Sequence, residues 1–105
     1  VEEAKQASER MLLQLYVAGE SPNSLQALRT LLEVCGKHLH ENYELEVIDV
    51  LQDPLRLIRD GIVLTPTLIK KLPSPKRTIV GDLRDLDALL NALGIVNAID
   101  AAKTN

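Results

Sequence analysis

Apolar runs separated by capping and turn signals divide the chain into seven elements. Met11–Val17 (MLLQLYV) is broken only by Gln14, the pattern of a short strand buried on both faces. Gly19 then permits a turn, and Ser21-Pro22-Asn23-Ser24 combines a hydroxyl suited to capping a helix with a proline that a first helical turn tolerates. Leu25, Leu28, Leu32, Cys35 and Leu39 follow at alternating steps of three and four, predicting a helix whose apolar stripe lies on a sheet. Tyr43 to Val50 (YELEVIDV) begins in strict alternation and ends in β-branched residues, which predicts a second strand. The intervening helix makes the two strands parallel neighbours joined by a right-handed crossover.

Asp53-Pro54 repeats the entry signal, and Leu55, Ile58 and Gly61 outline a short second helix with a glycine stop. In Leu64-Thr65-Pro66-Thr67-Leu68-Ile69 a proline opens an apolar run, one of the few places a strand accepts it, and its X-Pro bond is a candidate for the cis form. Pro73-Ser74-Pro75 predicts a stiff bend, Arg77 to Val80 a partner strand, and Gly81-Asp82 the entry to a last helix. That helix is expected to bury Leu83, Leu86, Leu90 and Leu93 and to stop at Gly94. The order is β-α-β-α-β-β-α: one α/β domain over residues 11–96, after a solvated segment at 1–10 and before a mobile tail at 97–105.

Composition narrows the function. The chain has 105 residues, 46% hydrophobic and 26% charged, a globular balance with room for one core. No apolar run reaches the roughly 18–20 residues of a membrane span. A net charge of −3 gives no general attraction to polyanions, and two tyrosines with no Phe or Trp leave no aromatic platform for bases, so nucleic-acid binding is not expected. A single cysteine excludes an intramolecular disulfide and fits a reducing, cytoplasmic setting.

The element order is the thioredoxin-like arrangement, with Thr65-Pro66-Thr67 where such folds place a cis-proline loop facing the first helix. Redox members open that helix with a CxxC pair, because a thiolate there is stabilised by the helix N-terminus. Here the positions read Ser21-Pro22-Asn23-Ser24, and two hydroxyls cannot cycle through a disulfide. Cys35 lies on the apolar stripe and is expected to pack as a small hydrophobe rather than react. His38 and His40, two apart, fall on different sides of a helix, so no metal site is expected and no cofactor is implied. Lys70, Lys71, Lys76 and Arg77 bracket the proline bend, either as a solvated edge or as a partner surface. A thioredoxin-like domain without its thiols is expected to bind another protein.

Several segments carry a closer resemblance. Leu15-Tyr16-Val17-Ala18-Gly19, Ser21-Pro22-Asn23-Ser24, Val47-Ile48-Asp49-Val50-Leu51, Thr65-Pro66-Thr67-Leu68 and Gly81-Asp82-Leu83 together resemble the KaiB family of the cyanobacterial circadian oscillator, in order and at similar spacing from Leu13 to Leu93. The resemblance implies a non-enzymatic regulator that binds the ATPase ring of a KaiC-type kinase, captures KaiA, and competes with the thioredoxin-like sensor domain of the kinase SasA. It also implies two packings of the C-terminal half: a resting homo-oligomer, dimer or tetramer, with an alternative ground-state fold, and a thioredoxin-like monomer that binds KaiC.

By position, the resemblance assigns KaiC contact to Gln52, Asp53, Arg56, Asp60, Lys70 and Arg77, and the fold-switch region to Pro66, Pro73, Pro75, Asp82, Asn91 and Ala92. Leu55 to Gly61 (LRLIRDG) departs from the family's strongly acidic stretch, and the proline triplet is reduced to Pro73-Ser74-Pro75. A KaiB paralogue serving a KaiC homologue outside a full clock is one variant of this reading. The sensory domain of a SasA-like histidine kinase is the alternative, and a small glutathione-using enzyme a third that lacks a thiol in its site.

Overall fold

The computed structural model describes residues 10–95, so the expected lead-in before Arg10 and the tail at 97–105 lie outside the described residues. Seven elements follow in the expected order: β1 (Met11–Val17), α1 (Pro22–His38), β2 (Tyr43–Asp49), α2 (Pro54–Arg59), β3 (Thr67–Leu72), β4 (Arg77–Val80) and α3 (Leu86–Leu93). The strands form one sheet in the order β2-β1-β3-β4. β1 runs parallel to β2, with Leu15 opposite Val47, and antiparallel to β3, with Leu15 opposite Leu68. β3 and β4 close an antiparallel hairpin. This is the thioredoxin-like topology.

Side-chain alternation along the central strand separates two cores. Met11, Leu13, Leu15 and Val17 of β1 join Leu31 and Cys35 of α1 and Leu89, Leu90 and Leu93 of α3 in the larger one. On the opposite face, Tyr16 packs with Ile48, Val50, Ile62 and Ile69, and Leu57 of α2 only partly covers them. The sheet is thus thickly covered by α1 and α3 and thinly by α2.

Two helices differ from their sequence reading. The buried face of α1 consists of Ser24, Ala27, Thr30, Leu31, Val34 and Cys35, whereas Leu25 and Leu32 are about half exposed. Cys35 of the expected stripe is in the core and Leu28 and Leu39 pack against it, but the face is rotated away from Leu25 and Leu32: the Ser24 hydroxyl accepts the Ala18 N–H at 3.1 Å, which points residue 24 rather than 25 toward the end of β1. The last helix starts later than Gly81-Asp82 suggests. Leu83 is buried ahead of it with a positive φ of 67°, Asp85 caps it by accepting the Ala88 N–H, and Leu86 at its first position is 50% exposed. Gly94 ends it in the left-handed conformation, as expected. Thr65-Pro66 is cis, and so are Leu72-Pro73 and Ser74-Pro75 on either side of the bend.

Candidate partner-binding surface

At the head of α1, the serines that stand where redox relatives carry thiols form a structural joint. Ser21 caps the helix by accepting the Ser24 N–H at 3.3 Å, and its hydroxyl donates to Ser24 Oγ at 2.9 Å. Ser24 is buried and ties β1 to α1 through Ala18. Nearby, Asp49 Oδ1 accepts from the backbone N–H groups of Gly19 at 2.9 Å and Leu51 at 3.0 Å, joining the loops after β1 and β2. Cys35 is fully buried, and burial pushes its thiol up to about 11. A thiol reagent such as DTNB should therefore react with the native protein at least tenfold more slowly than with the urea-unfolded chain; equal rates would place Cys35 at the surface.

A polar network lies under α2. The Tyr16 hydroxyl donates to Asp60 Oδ2 at 2.5 Å and lies 3.3 Å from Gln14 Oε1, a second acceptor. Arg56 Nε also donates to Asp60 Oδ2, at 3.2 Å, while its Nη1 donates to Glu46 Oε2 at 3.3 Å. Gln14 Nε2 completes the set by donating to Glu46 Oε1 at 3.0 Å. Burial, then the Asp60 carboxylate, push the Tyr16 phenol from its ordinary 10 up to about 12. Hydrogen bonds from Tyr16 and Arg56 hold Asp60 below the usual carboxylate range, and those from Gln14 and Arg56 do the same for Glu46. Both carboxylates raise the Arg56 pKa further.

These directions fix the pH dependence. Depressed folded pKa values mean that the two carboxylates stabilise the fold at neutral pH and lose that contribution as pH falls below about 4, through their folded values. Tyr16 runs the opposite way: its contribution is present below pH 10 and is lost as pH rises through about 12. The urea midpoint should fall more steeply between pH 10 and 12 than that of Tyr16→Phe; parallel profiles would remove Tyr16 from the account.

The sheet divides the six residues that sequence position assigns to one partner surface. Gln52 and Asp53 are exposed at the start of α2, and Asp53 makes no side-chain cap, contrary to the capping role its sequence position suggests. Arg56 and Asp60 turn inward to the network, with side chains only 18% and 25% exposed. Lys70 is 5% exposed and falls on the opposite face, since it shares the parity of Leu68, while Ile69 and Lys71 share the α2 side. Arg77, paired with Lys70 across the hairpin, faces α3 in a groove of about 430 Å³ with Asn91 and Ala92. Among the residues expected to lie in the fold-switch region, Pro66 is buried just before β3, Pro73 and Pro75 flank the bend, and Asp82 binds Arg84 Nε at 2.6 Å in the turn before α3.

The most exposed large apolar side chains among the described residues are ones to which the sequence pattern assigns no contact role. Val63 (87%), Ile58 (74%), Leu55 (73%), Leu51 (68%) and Leu64 (60%) all belong to the segment that contains α2 and its flanking loops. Leu55 and Ile58, three apart, share one face of the helix, away from Arg56 and Asp60. Their spacing marks a helix without saying which face is covered; Arg56, Leu57 and Asp60 form the second stripe, which the network and the Tyr16 core claim.

Fold and site together define a thioredoxin-like domain that opens its first helix on a hydrogen-bonded serine pair and leaves an apolar face of its second helix uncovered. The KaiB domain family model matches residues 14–95. A circadian clock oscillator protein KaiB from Trichodesmium erythraeum is 47% identical over 85 residues, covering 81% of this chain and 82% of its own. The circadian clock protein KaiB3 of Synechocystis sp. is 41% identical over 87 residues, covering 83% and 85%. The solved N-terminal domain of Synechococcus elongatus SasA superposes with a TM-score of 0.66 at 27% identity, covering 82% of this chain and 85% of that one. The chain belongs to the KaiB family.

Proposed function

We propose that the chain is a non-enzymatic regulatory protein that docks on a KaiC-type ring ATPase through the outer face of α2 and the loops beside it, in circadian timing or a related pathway. One observation carries this reading: among the described residues the five most exposed large apolar side chains, Leu51, Leu55, Ile58, Val63 and Leu64, are concentrated in a single stretch of sequence. Exposed apolar surface of that kind marks a contact site, because water does not reward leaving it bare. Arg59, 69% exposed on the same helix, with Gln52 and Asp53 supplies a polar rim. Lys70 drops out of the surface, Arg56 and Asp60 support it from beneath, and Arg77 belongs to a separate groove with α3. KaiA is a second partner that this reading predicts. No helix among the described residues is long and apolar enough to cross a membrane.

The likeness to the SasA domain supports a second reading, the sensory domain of a histidine kinase, which would use the same apolar face. Higher identity to the KaiB proteins favours the first. Size-exclusion chromatography with light scattering, on the protein alone and after hours with a KaiC homologue and ATP, tests it. A small homo-oligomer that gives way to a ring-sized complex supports the proposal. A persistent monomer that forms no complex with any KaiC homologue overturns it.

A further inference from the structure

Helix α2 poses an anchoring problem. None of its six residues is buried, and only Leu57 packs, in part, on the apolar cluster beneath. A helix of this length does not hold its form unaided. Its attachment is largely polar and converges on one atom: Asp60 Oδ2, just past the end of α2, accepts both the Tyr16 hydroxyl at 2.5 Å and Arg56 Nε at 3.2 Å. Arg56 carries the connection on to Glu46, and Gln14 ties Glu46 back to β1. The network therefore joins α2 to two strands. At its root, Tyr16 is 0% exposed in the central strand and has no surface to offer a partner.

We propose that Tyr16 is a positioning residue for partner docking, its hydroxyl acting through Asp60 and Arg56 to fix helix α2 and so aim the face that carries Leu55 and Ile58. The inference rests on the docking role proposed above for that face. Its physical basis is preorganisation: a partner binds only the fraction of molecules in which the helix is in place, and apparent affinity falls in proportion to that fraction. The ion pairs that remain without the hydroxyl are partly solvated, and such pairs hold a helix weakly. The hydroxyl bond to the carboxylate, anchored on a fully buried ring, is shorter and directional.

Tyr16→Phe removes the hydroxyl and leaves the ring in its cluster. Amide hydrogen exchange and affinity for the KaiC-type ring ATPase are measured on this variant and on Ile69→Val, a control in the same cluster that trims the core and spares the network. Tyr16→Phe is expected to speed exchange at residues 56–62 by roughly tenfold, leave β1 and β3 protected, and weaken binding severalfold; Ile69→Val should leave both readouts near wild type. Glu46→Gln, on the exposed edge strand, should move the same amides in the same direction by a smaller factor. Unchanged exchange at residues 56–62 in Tyr16→Phe overturns the positioning role itself. Faster exchange there with unchanged affinity also overturns the proposal, and locates the failure in the docking role of α2. Equal loss of affinity in Ile69→Val would reduce the effect to general stability.

Discussion

Ile58→Asp is expected to weaken binding to the ring ATPase by roughly thirtyfold or more, the scale of a hot-spot residue, while leaving the fold intact. Ile58 is 74% exposed and lies outside both apolar cores, so a carboxylate at that position stays in water in the free protein. In the complex the same carboxylate would be buried against the partner's apolar surface, and an unpaired charge there is costly. Position 58 also falls near the C-terminal end of α2, where negative charge is mildly unfavourable, so a drop of a few tenths of a kcal/mol in stability is expected as well. Isothermal titration or fluorescence anisotropy reads the affinity, and a urea melt checks the fold. Retained affinity would remove α2 from the interface.

Leu15→Ala should have the largest effect on stability. Leu15 is 0% exposed at the centre of β1, between Val47 on β2 and Leu68 on β3, beneath α1 and α3. Truncating a leucine so enclosed costs about 3 kcal/mol, through lost transfer energy and the cavity left behind. A domain of this size has about 5–15 kcal/mol in all, so a large share of its stability would go. The thermal midpoint should fall by about 15 °C. By contrast, Leu32→Ala, at a position 46% exposed on α1, should cost less than about 1 kcal/mol. Similar losses at the two positions would contradict the observed facing of α1.

Most of the architecture was legible because local signals and tertiary packing agree. Ser21-Pro22 starts α1 where capping chemistry places it, the apolar run Met11–Val17 is the central strand, and Gly94 ends α3. What was not legible were choices between overlapping patterns. On α1, leucines at 25 and 32 compete with a stripe through Ala27, Leu31 and Val34, and a hydrogen bond from Ala18 to Ser24 decides between them. On β3, Lys70 and Lys71 look equivalent in sequence, yet strand parity sends one to each face of the sheet. On α2 the apolar pair Leu55 and Ile58 marks a helix, but periodicity reports amphipathicity and not which face is covered. The network of Tyr16, Asp60, Arg56 and Glu46 joins residues up to 44 positions apart, and that long-range chemistry has no local signature.

The central claim is that the outer face of α2 and its flanking loops form the docking surface. Hydrogen exchange of the protein alone and in complex with a KaiC-type ring ATPase tests it most directly. The account predicts new protection across residues 51–64, with the groove between α1 and α3 at Thr30, Lys37, Leu86 and Leu90 unchanged. Protection confined to that groove, with residues 51–64 exchanging as in the free protein, would contradict it.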